Sequence, residues 1–104
     1  MGDIPQSERG VMGINVFTIE PENQEPLIEC MRGLGRREDI PGLLGLRLLR
    51  SVDGKRMINY MHWESEEAFH AAAADPTVAA TIQRAGELVG EGQPGLFEVV
   101  YVHE

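Results

Sequence analysis

The chain has 104 residues, 42% of them hydrophobic and 25% charged, which is material for one compact domain and not two. Nine Lys plus Arg against seventeen Asp plus Glu leave a formal net charge of −8, a balance that repels phosphate backbones and acidic membrane surfaces and so argues against nucleic acid or membrane partners. The lone cysteine, Cys30, excludes an internal disulfide and any Cys-based metal cluster.

Residues 1–10 (MGDIPQSERG) are polar and read as a flexible N-terminal arm ahead of a single domain at 11–104. They lack the basic-then-apolar pattern of a signal peptide, and no apolar run reaches the ~20 residues of a membrane span, so a cytoplasmic protein is expected. Val11–Ile19 follows as a strand, with Asn15, Phe17 and Ile19 on one face and Ile14, Val16 and Thr18 on the other. Asn23 is the expected cap of a helix running to about Arg37, with Pro26 in its first turn and Leu27, Met31 and Leu34 as its apolar stripe.

Leu43–Ser51 and Lys55–Trp63 read as a hairpin, because Asp53-Gly54 between two apolar runs suits a tight turn whose central residues accept φ > 0. Ser65 caps a short helix, Glu66–Ala74, and Asp75-Pro76 opens another in which Val78, Ile82, Ala85 and Val89 form the buried stripe. Gly90–Gly95 reads as a loop and Leu96–Val102 as the last strand.

Strand, helix, strand, strand, helix pair, strand is the ferredoxin-like βαββαβ order: an α+β fold with an antiparallel sheet and helices on one face. Several strands are apolar on both faces, although helices can cover only one. A second copy packed on the open sheet face, in a homodimer, accounts for the other.

The chemistry sits in Lys55–Trp63. Alternation puts Met57, Asn59, Met61 and Trp63 on one face, with Asn59 and Trp63 ~13 Å apart, about the length of a flat multi-ring molecule. An amide left unpaired in a core costs about 1–3 kcal/mol, so Asn15, Asn59 and the Trp63 indole N–H each need a partner or a ligand. Three such donors in one apolar slot suit the oxygen of an enolate or phenolate. The histidines offer no metal-ligand spacing, and no metal site is expected.

These stretches carry a resemblance. INVFT, SVDGKRMINYMHW, ESEEAF and ADPTVAA together resemble the antibiotic biosynthesis monooxygenase domain, across nearly the whole chain. That resemblance implies a dimeric α+β barrel. Within the superfamily the pattern is most similar to the cofactor-independent anthrone and tetracenomycin-type monooxygenases of aromatic polyketide pathways. It implies catalytic roles for Asn15, Asn59 and Trp63, apolar substrate walls from Phe17, Met57, Met61 and Phe69, a small aromatic substrate, and O₂ as co-substrate with no cofactor. Some relatives carry a Tyr where this chain has Phe69, so a tyrosine relay is not implied. Ala72 and Ile82 stand at the positions taken for the Trp and iron-ligating His of the haem-degrading branch, which argues against haem. A polyketide cyclase on the same barrel and a non-catalytic ligand-binding protein are the alternatives.

Overall fold

A computed structural model describes residues 4–103; Met1–Asp3 of the expected N-terminal arm lie outside the described residues. The elements are β1 (Val11–Thr18), α1 (Pro21–Arg32), β2 (Leu43–Arg50), β3 (Arg56–Trp63), α2 (Glu66–Ala73), α3 (Pro76–Leu88) and β4 (Gly92–Phe97). The strands form one antiparallel sheet in the order β2-β3-β1-β4, and the fold is α+β and ferredoxin-like. No helix among the described residues is long and apolar enough to cross a membrane.

The alternation read from the sequence holds in the central strands. Phe17, Met57, Met61 and Trp63 point to the helices and are buried together with Leu27 and Met31 of α1 and Val78 of α3. The opposite face of the sheet carries half-buried Ile14, Val16, Ile58 and Tyr60 and the exposed side chains of Leu49 and Phe97. Part of that face meets the N-terminal segment, which forms a single turn of tight helix at Gln6–Glu8 and sets the Arg9 carbonyl 2.5 Å from His62 Nε2.

The later helices begin as their sequences dictate. Ser65 Oγ accepts from Ala68 N at 3.1 Å, and Asp75 Oδ1 accepts from Thr77 N and Val78 N at 2.9 and 3.2 Å. Each cap satisfies backbone donors that the first helical turn leaves free.

Four local expectations are corrected. Helix α1 starts with Pro21 as its first residue and ends at Arg32. Asn23 is therefore inside it and donates from Nδ2 to the Leu88 carbonyl at 3.1 Å, tying α1 to the end of α3. The β2–β3 connection is wider than a two-residue turn, because Ser51 N donates to the Arg56 carbonyl at 2.9 Å and leaves Val52–Lys55 in the loop. Only Gly54 there has a positive φ, +77°. Asp53 acts instead through its carboxylate, which accepts from Ser51 Oγ at 2.7 Å and Lys55 N at 3.0 Å.

In α3 the fully buried member is Thr81, 1% exposed, whereas Ile82 is 47% exposed. Thr81 is accommodated because its hydroxyl donates to the Thr77 carbonyl at 3.1 Å. The last strand is displaced toward the chain start, Gly92–Phe97 in place of Leu96–Val102. Met12 pairs with Phe97, so continuing the register would bring Val99 to Gly10. Gly10 has a φ of +94° and turns the chain out of the sheet. Pairing stops there, and Val100 and Tyr101 are left 83% and 70% exposed.

Candidate active site

Asn15 and Asn59 stand directly opposite each other on β1 and β3, which sets their Cβ atoms ~5 Å apart on the helix-facing side. They border a cavity of about 140 Å³. Phe17 and Leu48 close it from the sheet, Leu27 and Met31 from α1, and Ile82, Ala85, Gly86 and Val89 from α3. The fourth strand contributes by withholding a side chain: a Cβ added at Gly92 would lie 2.7 Å from Asn15 Oδ1.

Both amide oxygens are buried and lack a hydrogen-bond partner, and so does Trp63 Nε1. At about 1–3 kcal/mol for each unpaired buried group, three such groups are a large charge on a domain whose whole stability is ordinarily about 5–15 kcal/mol. A carboxamide has an acceptor at one end and donors at the other, and a half-turn about χ2 exchanges them. The pair can thus accept from a phenol hydroxyl or donate to a phenolate or enolate oxygen.

The cavity has no ionisable lining. Any field at a bound molecule comes from the two amide dipoles and the low dielectric of the surrounding apolar side chains. Among the described residues the clear pKa displacement lies elsewhere, at exposed Asp53, where the hydrogen bond from Ser51 and then that from Lys55 N hold the carboxyl below its usual range.

Of the residues singled out from the sequence, Asn15, Asn59 and Phe17 come together at the cavity, and Trp63, Met57, Met61 and Phe69 do not line it. Met61 is buried between Asn59 and Trp63 on the same strand face. Trp63 is 2% exposed and packs edge-on against Phe69, with ring centroids 6.0 Å apart. Its indole N–H leans over Gly13, where an added Cβ would be 3.6 Å from Nε1.

The helical walls were missed as site residues. The stripe Val78, Ile82, Ala85, Val89 was legible as a packing face, but part of that face borders open space. The three histidines lie away from the cavity: His62 on the open sheet face against Arg9, His70 against Glu66, and His103 beside Tyr101. No group of His, Cys, Asp and Glu suited to a metal occurs among the described residues. A larger hollow of about 600 Å³ lies between the β2–β3 loop and the neighbouring ends of α1 and α3. It contains none of the unpartnered buried groups, so the smaller cavity is the stronger candidate.

Residues 10–84 match the family model described as antibiotic biosynthesis monooxygenase. A haem oxygenase (mycobilin-producing) of Mycobacterium tuberculosis is 46% identical over 65 residues, which are 61% of this chain and 62% of that protein. The tetracenomycin-F1 monooxygenase of Streptomyces glaucescens is 36% identical over 67 residues, 61% of this chain and 58% of the relative. The match thus spans less than two thirds of either relative's length.

Among solved structures, the ActVA-Orf6 monooxygenase of Streptomyces coelicolor, in complex with nanaomycin D, is 26% identical with a TM-score of 0.76, covering 91% of each chain. SnoaB, a cofactor-independent oxygenase of Streptomyces nogalater, is 25% identical with a TM-score of 0.72, covering 88% of this chain and 94% of its own. MhuD, a haem degrader of Mycobacterium tuberculosis solved with two haems in its active site, is 35% identical with a TM-score of 0.66, covering 90% and 99%.

Proposed function

The chain belongs to the antibiotic biosynthesis monooxygenase family, and on that premise we propose that it is a cofactor-independent oxygenase. Its substrate is a flat aromatic, polyketide-like molecule of the anthrone or quinol type, which O₂ converts to a quinone. The observation that carries this reading is the pair of buried, unpartnered amide oxygens of Asn15 and Asn59 at the edge of an apolar cavity. The tetracenomycin-F1 monooxygenase, the SnoaB oxygenase and the nanaomycin D complex support it from the side of the relatives.

The chemistry asks little of the protein. Loss of a proton from the activated carbon of an anthrone gives a delocalised carbanion, whose oxygen takes the negative charge. One electron passes from it to O₂, the two radicals recombine at carbon, and protonation gives a hydroperoxide. Loss of water leaves the quinone carbonyl, so one O₂ is consumed and one water released for each CH₂ oxidised. Asn15 and Asn59 donate to the enolate oxygen as its charge develops. The apolar walls exclude bulk water and fix the rings. No ionisable group lines the cavity, so the first proton leaves to water or to the substrate's own phenolate.

A three-ring ligand needs more than about 140 Å³, since pockets for such molecules run from about 300 Å³ upward. Met61, a flexible thioether, is the side chain to be displaced. Its rotation extends the slot along β3 toward the N–H of Trp63, with Met57 and Phe69 as further walls. In the extended slot Trp63 donates to the far end of the ligand and stacks on it.

The likeness to haem oxygenases raises the question of haem. The cavity lining contains no His, Cys or Tyr, the strong protein ligands of haem iron, and α3 contains no histidine. The residues present do not fit a haem held by such a ligand.

A second copy covers the open face in a homodimer. Leu49 and Phe97 stand exposed there beside half-buried Ile14, Val16 and Ile58. Sedimentation at micromolar concentration should give twice the mass of the 11.5 kDa chain.

The test of function is oxygen uptake by metal-stripped protein with emodin anthrone or dithranol, against a no-protein control because anthrones autoxidise. Enhanced uptake that survives a chelator, with matching quinone absorbance, is expected. Conversion of a polyketide substrate without oxygen consumption would indicate a cyclase instead, and tight binding without any product a binding protein.

A further inference from the structure

One residue of the cavity wall lacks the ordinary reasons for its identity. Gly86 sits in the last turn of α3, where glycine is the least favourable residue short of proline because it gives up the most backbone freedom. Backbone geometry does not demand it, since Gly86 is not among the residues with positive φ. Packing does not demand it either: a Cβ added there would meet nothing within 4 Å. This differs from Gly42, where the φ is +83° and an added Cβ would fall 2.4 Å from the Cβ of Ala68.

What Gly86 does border is the cavity of Asn15 and Asn59, at its solvent-facing side. It lies one turn along α3 from the half-exposed Ile82 and next to Ala85, and all three residues line the cavity. We propose that Gly86 sets the width of the cavity mouth and so selects substrates by ring number, admitting a three-ring phenolic edge-on between α3 and the sheet. The proposal rests on reading this cavity as the substrate site.

The geometry gives it direction. The cavity is only about 140 Å³, so a four-carbon side chain at its mouth narrows the entrance between α3 and the sheet. A three-ring molecule loses its path while a two-ring molecule still enters past Ile82. The amides that hold the ligand oxygen, on β1 and β3, are untouched by a change on α3, so the effect falls on entry and binding and not on the chemical step.

The test compares wild type, Gly86→Ala and Gly86→Leu by equilibrium dialysis of 1,8-dihydroxyanthraquinone and of 1-naphthol, with thermal unfolding alongside. Gly86→Leu should weaken the three-ring ligand at least tenfold and the two-ring ligand less than threefold. Gly86→Ala should fall between and unfold no lower than wild type, since alanine is the better helix former. With an anthrone substrate, KM should rise in Gly86→Leu while kcat stays within twofold. Equal weakening of both ligands overturns the proposal while leaving the cavity as the site; unchanged binding of both overturns the proposal and means that the ligands do not enter by this mouth. A wild type that binds neither ligand overturns the site reading and this proposal with it.

Discussion

The helix-facing seam between β1 and β3 ends in two different ways, although both ends hold an unpartnered polar group. At one end Asn15 and Asn59 face a cavity bounded by α1 and α3. At the other, Trp63 is sealed, 2% exposed, with Phe69 against its ring and its N–H over Gly13. Met61 lies between them. An orphaned polar group points to a ligand most directly where space accompanies it; where there is none, the same group first serves as packing. The two ends should therefore respond differently to substitution: function fails first at the amide end and stability first at the indole end.

The largest separation is expected from Asn59→Ala and Asn15→Ala. Removing one donor to a developing oxyanion ordinarily costs about 10²–10³ in kcat, and a fall of that order is predicted here for anthrone oxidation. Because the amide oxygens are unpaired, neither change should lower the unfolding free energy by more than about 1 kcal/mol. Steady-state oxygen uptake and urea unfolding read the two quantities separately.

Trp63→Phe should show the opposite emphasis. A buried indole replaced by a smaller ring leaves a void beside Phe69 and costs about 1–3 kcal/mol of stability. Its turnover should fall less than in either asparagine variant. An equal or greater loss would mean that the indole, and not the amide pair, carries the chemistry.

Two glycines sharpen the contrast on the stability side. Gly42→Ala forces a side chain against Ala68 at a positive φ and should cost about 1–3 kcal/mol. Gly86→Ala meets open space and should be neutral or stabilising, by up to about 1 kcal/mol. Thermal unfolding of the pair distinguishes the packed region from the vacant one.

The smallest effect is expected in the β2–β3 loop, remote from both ends. Hydrogen bonds hold the Asp53 carboxyl below its ordinary 3.8, so its ionised form supports the fold above that pH. The support is lost as pH falls through the lowered value. Asp53→Asn should unfold slightly more easily than wild type at neutral pH, and the two should converge once the pH falls below the lowered value.

The central hairpin and the caps of α2 and α3 were legible because each is written locally: alternation over eight residues, Ser65 and Asp75 ahead of their helices, Gly54 in the turn. The last strand was not. Val99–Val102 carries the stronger strand pattern, yet what fixes β4 is the edge of β1, and that edge ends where Gly10 turns away. Pro94 in β4 looked like a loop residue and is tolerated because β4 is an edge strand. The amide pair was legible because buried asparagines on neighbouring strands are conspicuous. The opposite wall was not, since nothing local marks Ala85 and Gly86 as facing a cavity and not a neighbour. Trp63 was placed on the correct face, but the thickness of Met61 between it and Asn59 emerges only from packing.

The most direct measurement of the central claim is a titration of ¹⁵N-labelled protein with 1,8-dihydroxyanthraquinone, following the side-chain amide resonances assigned through Asn15→Ala and Asn59→Ala. If the pair meets the ligand oxygen, both carboxamide signals shift and saturate together with the backbone signals of Ile82 and Gly86. If the two carboxamides stay still while residues of the larger hollow, such as Asn23 and Lys55, shift instead, the ligand binds elsewhere and the amide pair is not the site.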